Sequence, residues 1–216
     1  MKTIFIVDDH DIVRFGLEML LKSEPEFKVL GCAVNLNNAL RDIAQLQPDL
    51  LITDMSLPDS HGLNTVRSMV QAQAHRPVLV VSMHDELIYA EQVLSLGAQG
   101  YLMKEKVQEL VVQAARELFL GNRWVSPQVS AQLLNRVVPG RARRSPVDLP
   151  RCAPLGQMSL REVEVLERIG RGQTTKEIAY NLVLSSRTID VHRASIKKKL
   201  GLRSGAEVVA FAVSRL

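Results

Sequence analysis

The sequence lacks the features that would place it in a membrane, outside the cell or around a thiolate-bound metal. It has two cysteines, Cys32 and Cys152, in opposite halves of the chain. They share no metal or redox spacing, which argues against a disulfide framework and fits reduced thiols in a cytoplasmic protein. No apolar run approaches the ~18 residues that span a bilayer. The first apolar run, Ile4-Phe5-Ile6-Val7, is cut by Asp8-Asp9, so no secretory h-region is read. No G-x-G-x-x-G loop follows that run, which disfavours a nucleotide site. A cytoplasmic protein without membrane contact is expected.

What is present suits two globular domains. The chain has 216 residues, 46% hydrophobic and 23% charged, enough for two ordinary cores. The net charge of +4 hides an asymmetry. Residues 1–137 hold 12 Lys and Arg against 16 Asp and Glu, net −4; residues 138–216 hold 15 against 7, net +8. An acidic half joined to a basic half suggests that only the second meets a polyanion.

The acidic half is organised around Leu50-Leu51-Ile52-Thr53-Asp54-Met55-Ser56-Leu57-Pro58. An apolar run of strand type ends in a carboxylate, at the edge where open α/β sheets place their sites. A lone Asp there is more often a cap or a turn residue. Three further runs end the same way. Ile4 to Val7 ends in Asp8-Asp9, Val78 to Val81 in Ser82, and Gly100 to Met103 in Lys104. Helical periodicity follows each run: Ile12 to Leu21, Leu36 to Leu46, Leu63 to Val70, Leu87 to Leu96 and Val107 to Leu120. With Phe27 to Val34 as another strand, five βα units predict an α/β fold: a doubly wound parallel five-stranded sheet of flavodoxin-like order 2-1-3-4-5. That order puts Asp8, Asp9 and Asp54 in one crevice.

Three carboxylates in one pocket resist ionising together unless a cation joins them. Oxygen ligands with room for water suit Mg²⁺ better than zinc. Asp54 can then attack phosphorus and form an acyl phosphate. Lys104 can neutralise the transferred group, and the Ser82 hydroxyl can bond one of its oxygens.

Residues 1–121 resemble the receiver domain of two-component response regulators. The resemblance runs through Val7-Asp8-Asp9-His10, Thr53-Asp54-Met55-Ser56-Leu57-Pro58 with Gly62, Ser82-Met83, and Gly97-Ala98-Gln99-Gly100-Tyr101-Leu102-Met103-Lys104. It implies that Asp54 is the phosphoacceptor, served by a sensor histidine kinase. It implies that Asp9, Asp54 and the Ser56 carbonyl hold Mg²⁺, with Asp8 acting mainly through water. Ser82 and Tyr101 would couple phosphorylation to the face of the last helices and strand. Glu105 stands where many receivers have proline, which puts in doubt the cis peptide often found there. Ser56 and His84 lie two residues past Asp54 and Ser82, where they could flank an attacking water and tune the lifetime of the phosphoryl group.

Residues 122–157 read as a connection. Ser126-Pro127 opens a short helix, and Trp124, the only tryptophan, reads as core rather than ligand. Pro139, Pro146, Pro150 and Pro154 with several arginines mark a linker.

Residues 158–216 read as a small all-α domain of four helices, about 160–170, 175–182, 186–200 and 205–215. Ser159-Leu160-Arg161-Glu162, Thr174-Thr175-Lys176-Glu177 and Ser204-Gly205-Ala206-Glu207 each fit a capping box. The second and third helices have the dimensions of a helix-turn-helix. In the third, Ile189, His192, Ile196 and Leu200 are expected to face the core, leaving Asp190, Val191, Arg193, Ala194 and Lys197 on other faces. The segment resembles the LuxR-type DNA-binding domain through Leu160-Arg161-Glu162-Val163-Glu164-Val165-Leu166, Gly172, Lys176-Glu177-Ile178-Ala179, Ser186-Arg187-Thr188-Ile189-Asp190-Val191-His192 and Lys199-Leu200. The whole chain then resembles a NarL/FixJ-type transcription factor. That implies double-stranded DNA as partner, with Asp190, Val191 and Ala194 toward bases. Arg187, Arg193, Lys197 and Lys198 would meet the backbone, and Lys176 and Thr188 complete the expected DNA-facing set. It also implies a homodimer on phosphorylation, through helix 205–215, and RNA polymerase as a candidate partner.

Other readings compete. An aspartate-nucleophile phosphatase would use Asp54 in turnover, but Ser56 stands where a second acid is needed; no enzyme is expected. A ligand- or partner-controlled regulator, or one that works unphosphorylated, would leave the pocket as scaffold.

Overall fold

The computed structural model describes residues 1–137 and 158–215. The Pro- and Arg-rich stretch from Pro139, Cys152 and Leu216 lie outside the described residues. The chain divides into two compact units, each taken by itself.

In the first unit, strand β1 (Lys2–Val7), helix α1 (Asp11–Lys22), β2 (Phe27–Ala33), α2 (Leu36–Leu46) and β3 (Leu50–Thr53) follow in order. A short hairpin, β4 (Ser56–Leu57) and β5 (Ser60–His61), precedes α3 (Leu63–Gln73). Then come β6 (Val78–Ser82), α4 (Glu86–Ser95), β7 (Gly100–Met103) and α5 (Val107–Phe119), and the boundary of the unit falls within α6 (Pro127–Val137). The main sheet has order β2-β1-β3-β6-β7 and is parallel throughout. Counting only its own strands, this is the expected 2-1-3-4-5. The antiparallel hairpin is an addition that the sequence pattern does not announce.

The strands are apolar on both faces because helices cover both. Their side chains alternate with period two. Ile4, Ile6, Leu50, Ile52, Leu79, Val81 and Leu102 pack with Leu17 and Leu21 of α1 and with Val111, Ala114, Ala115 and Leu118 of α5. Phe5, Leu51 and Val80, buried on the opposite face, are covered by α2 and α3, whose inner residues are Ala39, Ile43, Val66 and Met69.

The last strand has a guarded edge. Tyr101 N–H donates to Trp124 O at 2.8 Å and Trp124 N–H to Gln99 O at 3.0 Å. Gly100 is where the two segments touch. A Cβ there would stand 2.8 Å from Leu79 Cδ1 and 3.2 Å from Trp124 Cβ, so only glycine fits without a shift. Trp124 itself packs against the core, as expected of it. No cis peptide occurs among the described residues, and Lys104–Glu105 is trans.

Residues 158–215 of the second unit form four helices: α7 (Leu160–Gly170), α8 (Thr175–Leu182), α9 (Ser186–Lys199) and α10 (Gly205–Arg215). Ser159 with Glu162 and Thr174 with Glu177 form complete capping boxes. The third expected box is half formed. Ser204 Oγ accepts from Glu207 N–H, but the Glu207 carboxylate accepts from Arg203 N–H, one residue too early. Helix α9 ends in a Schellman turn: Leu202 N–H donates to Lys197 O and Gly201 N–H to Lys198 O, with Gly201 at φ 66°. Helix α8 ends in the same way, but Val183 takes the left-handed position at φ 56°. A β-branched residue there is strained.

Candidate functional site

Strand register assembles the acidic pocket. Val7 pairs with Thr53, and Thr53 with Val80. The next residues, Asp8 and Asp54, therefore leave the same edge side by side, and Asp54 N–H donates to Val7 O at 2.7 Å. Ser82 pairs with Met103, which delivers Lys104 to the same edge. Asp8, Asp54 and Ser82 are buried and Asp9 is half-buried.

Lys104 is the centre of the arrangement. Its Nζ lies 2.7 Å from Asp54 Oδ2 and 2.7 Å from Asp8 Oδ2, and its side chain is 5% exposed. The other Asp54 oxygen accepts from Met55 N–H at 2.6 Å. Asp8 Oδ1 accepts from His10 N–H at 2.8 Å, and Arg14 bonds the Asp8 carbonyl at 2.8 Å. His10 Nδ1 is 2.7 Å from Asp9 Oδ1. Burial pushes the Asp54 carboxyl above its ordinary range, and the hydrogen bond and charge of Lys104 do not overcome that. Burial works against charge on Lys104 as well, but the bonds and charges of Asp54 and Asp8 outweigh it, so the lysine is held protonated.

One ligand atom each from Asp8, Asp9, His10 and Asp54 falls within 4.8 Å of all the others. Asp8 Oδ2 and Asp9 Oδ1 are buried without a well-aligned hydrogen-bond donor, although Lys104 and His10 stand close to them. Buried anionic oxygens in this condition suit a small hard cation, so the donor set fits Mg²⁺. His10 was not expected in the cluster; its place one residue after Asp8-Asp9 was the only signal.

The remaining pocket residues form a second row. Ser82 Oγ accepts from His84 N–H at 3.2 Å. The Tyr101 ring is fully buried, and its hydroxyl donates to His84 O at 2.8 Å. Burial pushes that phenol far up, so it stays a neutral donor. Ser56 Oγ and His84 Nε2 lie 3.1 Å apart, which brings together the two residues singled out for their spacing. Sequence reasoning missed Asp59, which bonds the start of α2 from the tip of the β4–β5 hairpin.

The second unit presents a different surface. Ile189, Ile196 and Leu200 are buried; His192, expected beside them, is half-buried. Opposite this seam, Arg187, Asp190, Val191, Ala194 and Lys198 are exposed, spaced along one helical face. Lys176 is exposed on α8. Arg193 and Lys197 are half-buried on the flanks, and the Thr188 hydroxyl is 2.8 Å from Ser185 Oγ, within the helix cap. The face is held by Glu162. Its carboxylate caps α7 through Ser159 N–H at 2.6 Å, and reaches α9 through Ser195 Oγ at 2.5 Å and Lys199 Nζ at 2.7 Å. Burial raises the Glu162 carboxyl, but Lys199, Ser195 and Ser159 outweigh it and hold it at about 2. Among the described residues, no helix is long and apolar enough to cross a membrane.

Comparisons with known proteins match both parts of the chain. Residues 4–116 match the response regulator receiver domain, and residues 156–212 match bacterial regulatory proteins of the luxR family. The chain is 33% identical over 215 residues to the oxygen regulatory protein NreC of Staphylococcus carnosus, covering 98% of this chain and 97% of that one. It resembles RcsB of Salmonella enterica serovar Typhimurium, solved on promoter DNA with the phosphomimetic BeF₃⁻, at 25% identity and a TM-score of 0.63. That match covers 99% of this chain and 98% of RcsB. A LuxR-family two-component response regulator from Aurantimonas sp. SI85-9A1 matches at 30% identity and a TM-score of 0.57, over 63% of this chain and 98% of its own. With an acidic pocket around a buried lysine in one unit and an exposed helix-turn-helix face in the other, the chain belongs to the NarL/FixJ-type response regulators, which join a receiver domain to a LuxR-type DNA-binding domain.

Proposed function

We propose that phosphorylation of Asp54 controls DNA binding by α9. The observation that carries this reading is Lys104, bonded at 2.7 Å to both Asp54 and Asp8 within a cluster of carboxylates. In the reaction, an Asp54 oxygen forms a bond to phosphorus as the donor's N–P bond breaks on a histidine kinase. The product is a mixed anhydride. Asp9, Asp54 and the Ser56 carbonyl would hold Mg²⁺, with Asp8 acting through water. When bound, that cation offsets the negative charge of the incoming group. Lys104 moves from the Asp54 carboxylate to a phosphoryl oxygen, and Ser82 donates to another. The switch follows from that exchange. Tyr101 is held by the His84 carbonyl, two residues from Ser82, so a shift of Ser82 toward phosphate moves the Tyr101 partner too. The domain acts as a switch, not as an enzyme that turns over a substrate.

The output is DNA binding in the cytoplasm, by a homodimer that forms on phosphorylation through α10. Arg187 and Lys198, with Arg193 and Lys197, meet phosphates; Asp190, Val191 and Ala194 face bases. The RcsB relative was solved on promoter DNA with a phosphomimetic, which supports the same coupling here. The chain meets a sensor kinase at the receiver and RNA polymerase at the promoter. The Ser56–His84 contact sets the lifetime of the phosphoryl group by holding both side chains beside the attacking water.

Intact mass tests the reading. Incubation with a small acyl phosphate donor and Mg²⁺ is expected to add one phosphoryl group to the native chain and none to Asp54→Asn. A phosphoryl group on Asp54→Asn places the acceptor elsewhere. An unchanged dephosphorylation rate on replacing both Ser56 and His84 removes them from lifetime control.

A further inference from the structure

The hairpin that follows Asp54 is held at several points, and one of them has no place in the chemistry described so far. Met55 and Leu57 are buried beneath it, and Gly62 N–H closes it onto Met55 O at 2.9 Å. Thr65 Oγ1 donates to Ser60 Oγ at 2.9 Å, tying the second strand to α3. Ser56 Oγ lies 3.1 Å from His84 Nε2, tying the first strand to the loop after β6. At the tip, Asp59 reaches across to α2. Its Oδ1 accepts from Leu36 N–H at 2.7 Å and its Oδ2 from Asn37 N–H at 3.0 Å.

Those two N–H groups are donors that a helix start leaves without intrahelical partners. The next one, Asn38 N–H, is taken by the local cap Asn35 at 2.9 Å. Asp59 thus uses both carboxylate oxygens on a helix start 22 and 23 residues earlier in the chain, and the charge also favours that end of the helix dipole. The contact keeps the Asp59 carboxyl below its ordinary range. Its slight burial works the other way, but the N–H groups of Leu36 and Asn37 outweigh it. A cap for α2 alone would not need to come from the hairpin, because Asn35 already stands at the helix start.

We propose that Asp59 is a positioning residue for the acidic pocket: by pinning the β4–β5 hairpin to the start of α2, it fixes the Ser56 carbonyl as a metal ligand. The inference rests on the reading of the pocket as a Mg²⁺ site. Mg²⁺ demands near-ideal octahedral geometry, so a main-chain ligand on a two-residue strand must be held from outside. Buried Leu57 holds the hairpin from below, the Ser56 contact ties it to His84 after β6, and Asp59 holds it to the start of α2.

The test is Mn²⁺ binding to the full chain, read from the signal of free Mn²⁺ in electron paramagnetic resonance. The proteins are wild type, Asp59→Ala, Asp59→Glu and Asn35→Ala. Asp59→Ala is expected to weaken Mn²⁺ binding roughly tenfold, the low end for loss of a group that orients a metal ligand. Asp59→Glu keeps the charge but misplaces both oxygens, and is expected to weaken binding nearly as much. Asn35→Ala removes a cap from the same helix without touching the hairpin, and is expected to bind as wild type does. In phosphorylation by a small donor, Asp59→Ala should raise the half-saturating Mg²⁺ while keeping the saturated rate within about twofold of wild type. Wild-type affinity in Asp59→Ala, or equal loss in Asn35→Ala, overturns the inference and leaves the pocket reading intact. Full affinity in Asp59→Glu shows a charge effect and overturns it too. If wild type binds no Mn²⁺, the metal reading itself falls, and the positioning role with it.

Discussion

Two buried carboxylates, each 2.7 Å from a lysine, are treated in opposite ways by this chain. Asp54 shares Lys104 with Asp8, and burial raises its pKa in spite of the lysine. Glu162 has Lys199, a serine hydroxyl and a backbone N–H, and its pKa is held at about 2. The difference is the deeper burial of Asp54 and its smaller share of donors. In the receiver, Asp8 and Asp54 share one lysine with Asp9 close by, a deficit of positive charge that a cation can relieve. In the C-terminal domain every demand of the carboxylate is met, and the result is a brace between α7 and α9. Both contacts are ion pairs to a buried carboxylate, but Lys104 is buried and Lys199 is 30% exposed. One is poised for chemistry, and the other fixes a surface.

The largest effect that can break this comparison is loss of phosphoryl acceptance. Asp54→Asn is expected to remove it by at least about a hundredfold, since a carboxamide is not a nucleophile for phosphorus at neutral pH. The same change in Glu162 should leave phosphorylation of the receiver unaltered, which intact mass would show.

Stability should respond in the opposite order. Glu162→Ala leaves Lys199 without its buried partner and removes the α7 cap. The expected cost is about 3 kcal/mol in the unfolding transition of the C-terminal domain. Asp54→Asn relieves crowding around Lys104, which keeps Asp8. The metal-free protein should gain about 1 kcal/mol, the usual sign for easing a strained functional site. Denaturant unfolding of both variants checks the pair; destabilisation by Asp54→Asn would remove the contrast.

Acid sharpens the contrast further. A carboxyl whose folded pKa lies below its unfolded value stabilises the protein above the unfolded value and loses that contribution as pH falls through the folded one. For Glu162 the window runs from the ordinary 4.5 down to about 2. Helices α7 and α9 should therefore loosen across that range, and Glu162→Gln should flatten the pH dependence. Circular dichroism against pH, at fixed salt, reads both.

The smallest effect concerns the turn before α9. Val183 occupies a left-handed position that disfavours β-branched side chains. Val183→Gly is expected to stabilise the domain by about 1 kcal/mol. Unchanged or lower stability would mean that the exposed Val183 side chain makes contacts that offset the strain.

The chain made the pocket legible because its evidence is local. Apolar runs that stop at Asp8, Asp54, Ser82 and Lys104 can be read one strand at a time, and the parallel register does the rest. Capping signals at Ser159 and Thr174 were legible for the same reason. What escaped depends on contacts distant in sequence. Asp59 reaches α2 across more than twenty residues, and Ser195 reaches Glu162 across 33. Neither has a periodic or motif signature, and Gly100 is explained only once Trp124 is seen beside it. The half-formed box at Ser204 shows the limit of a local signal: the residue types were right, but Glu207 took the neighbouring N–H. His192 fits the core spacing and yet is half-buried, because α9 lies at the domain surface and that position falls at the rim of its seam.

The most direct test of the central claim is a DNA-binding titration of the native chain and Asp54→Asn, each with and without a small phosphodonor plus Mg²⁺. Phosphorylation is expected to tighten binding of the native chain by about tenfold or more, within the usual range of coupling between sites, and to leave Asp54→Asn unchanged. Equal affinity for phosphorylated and unphosphorylated native protein, with the phosphoryl group verified by mass, would contradict the account.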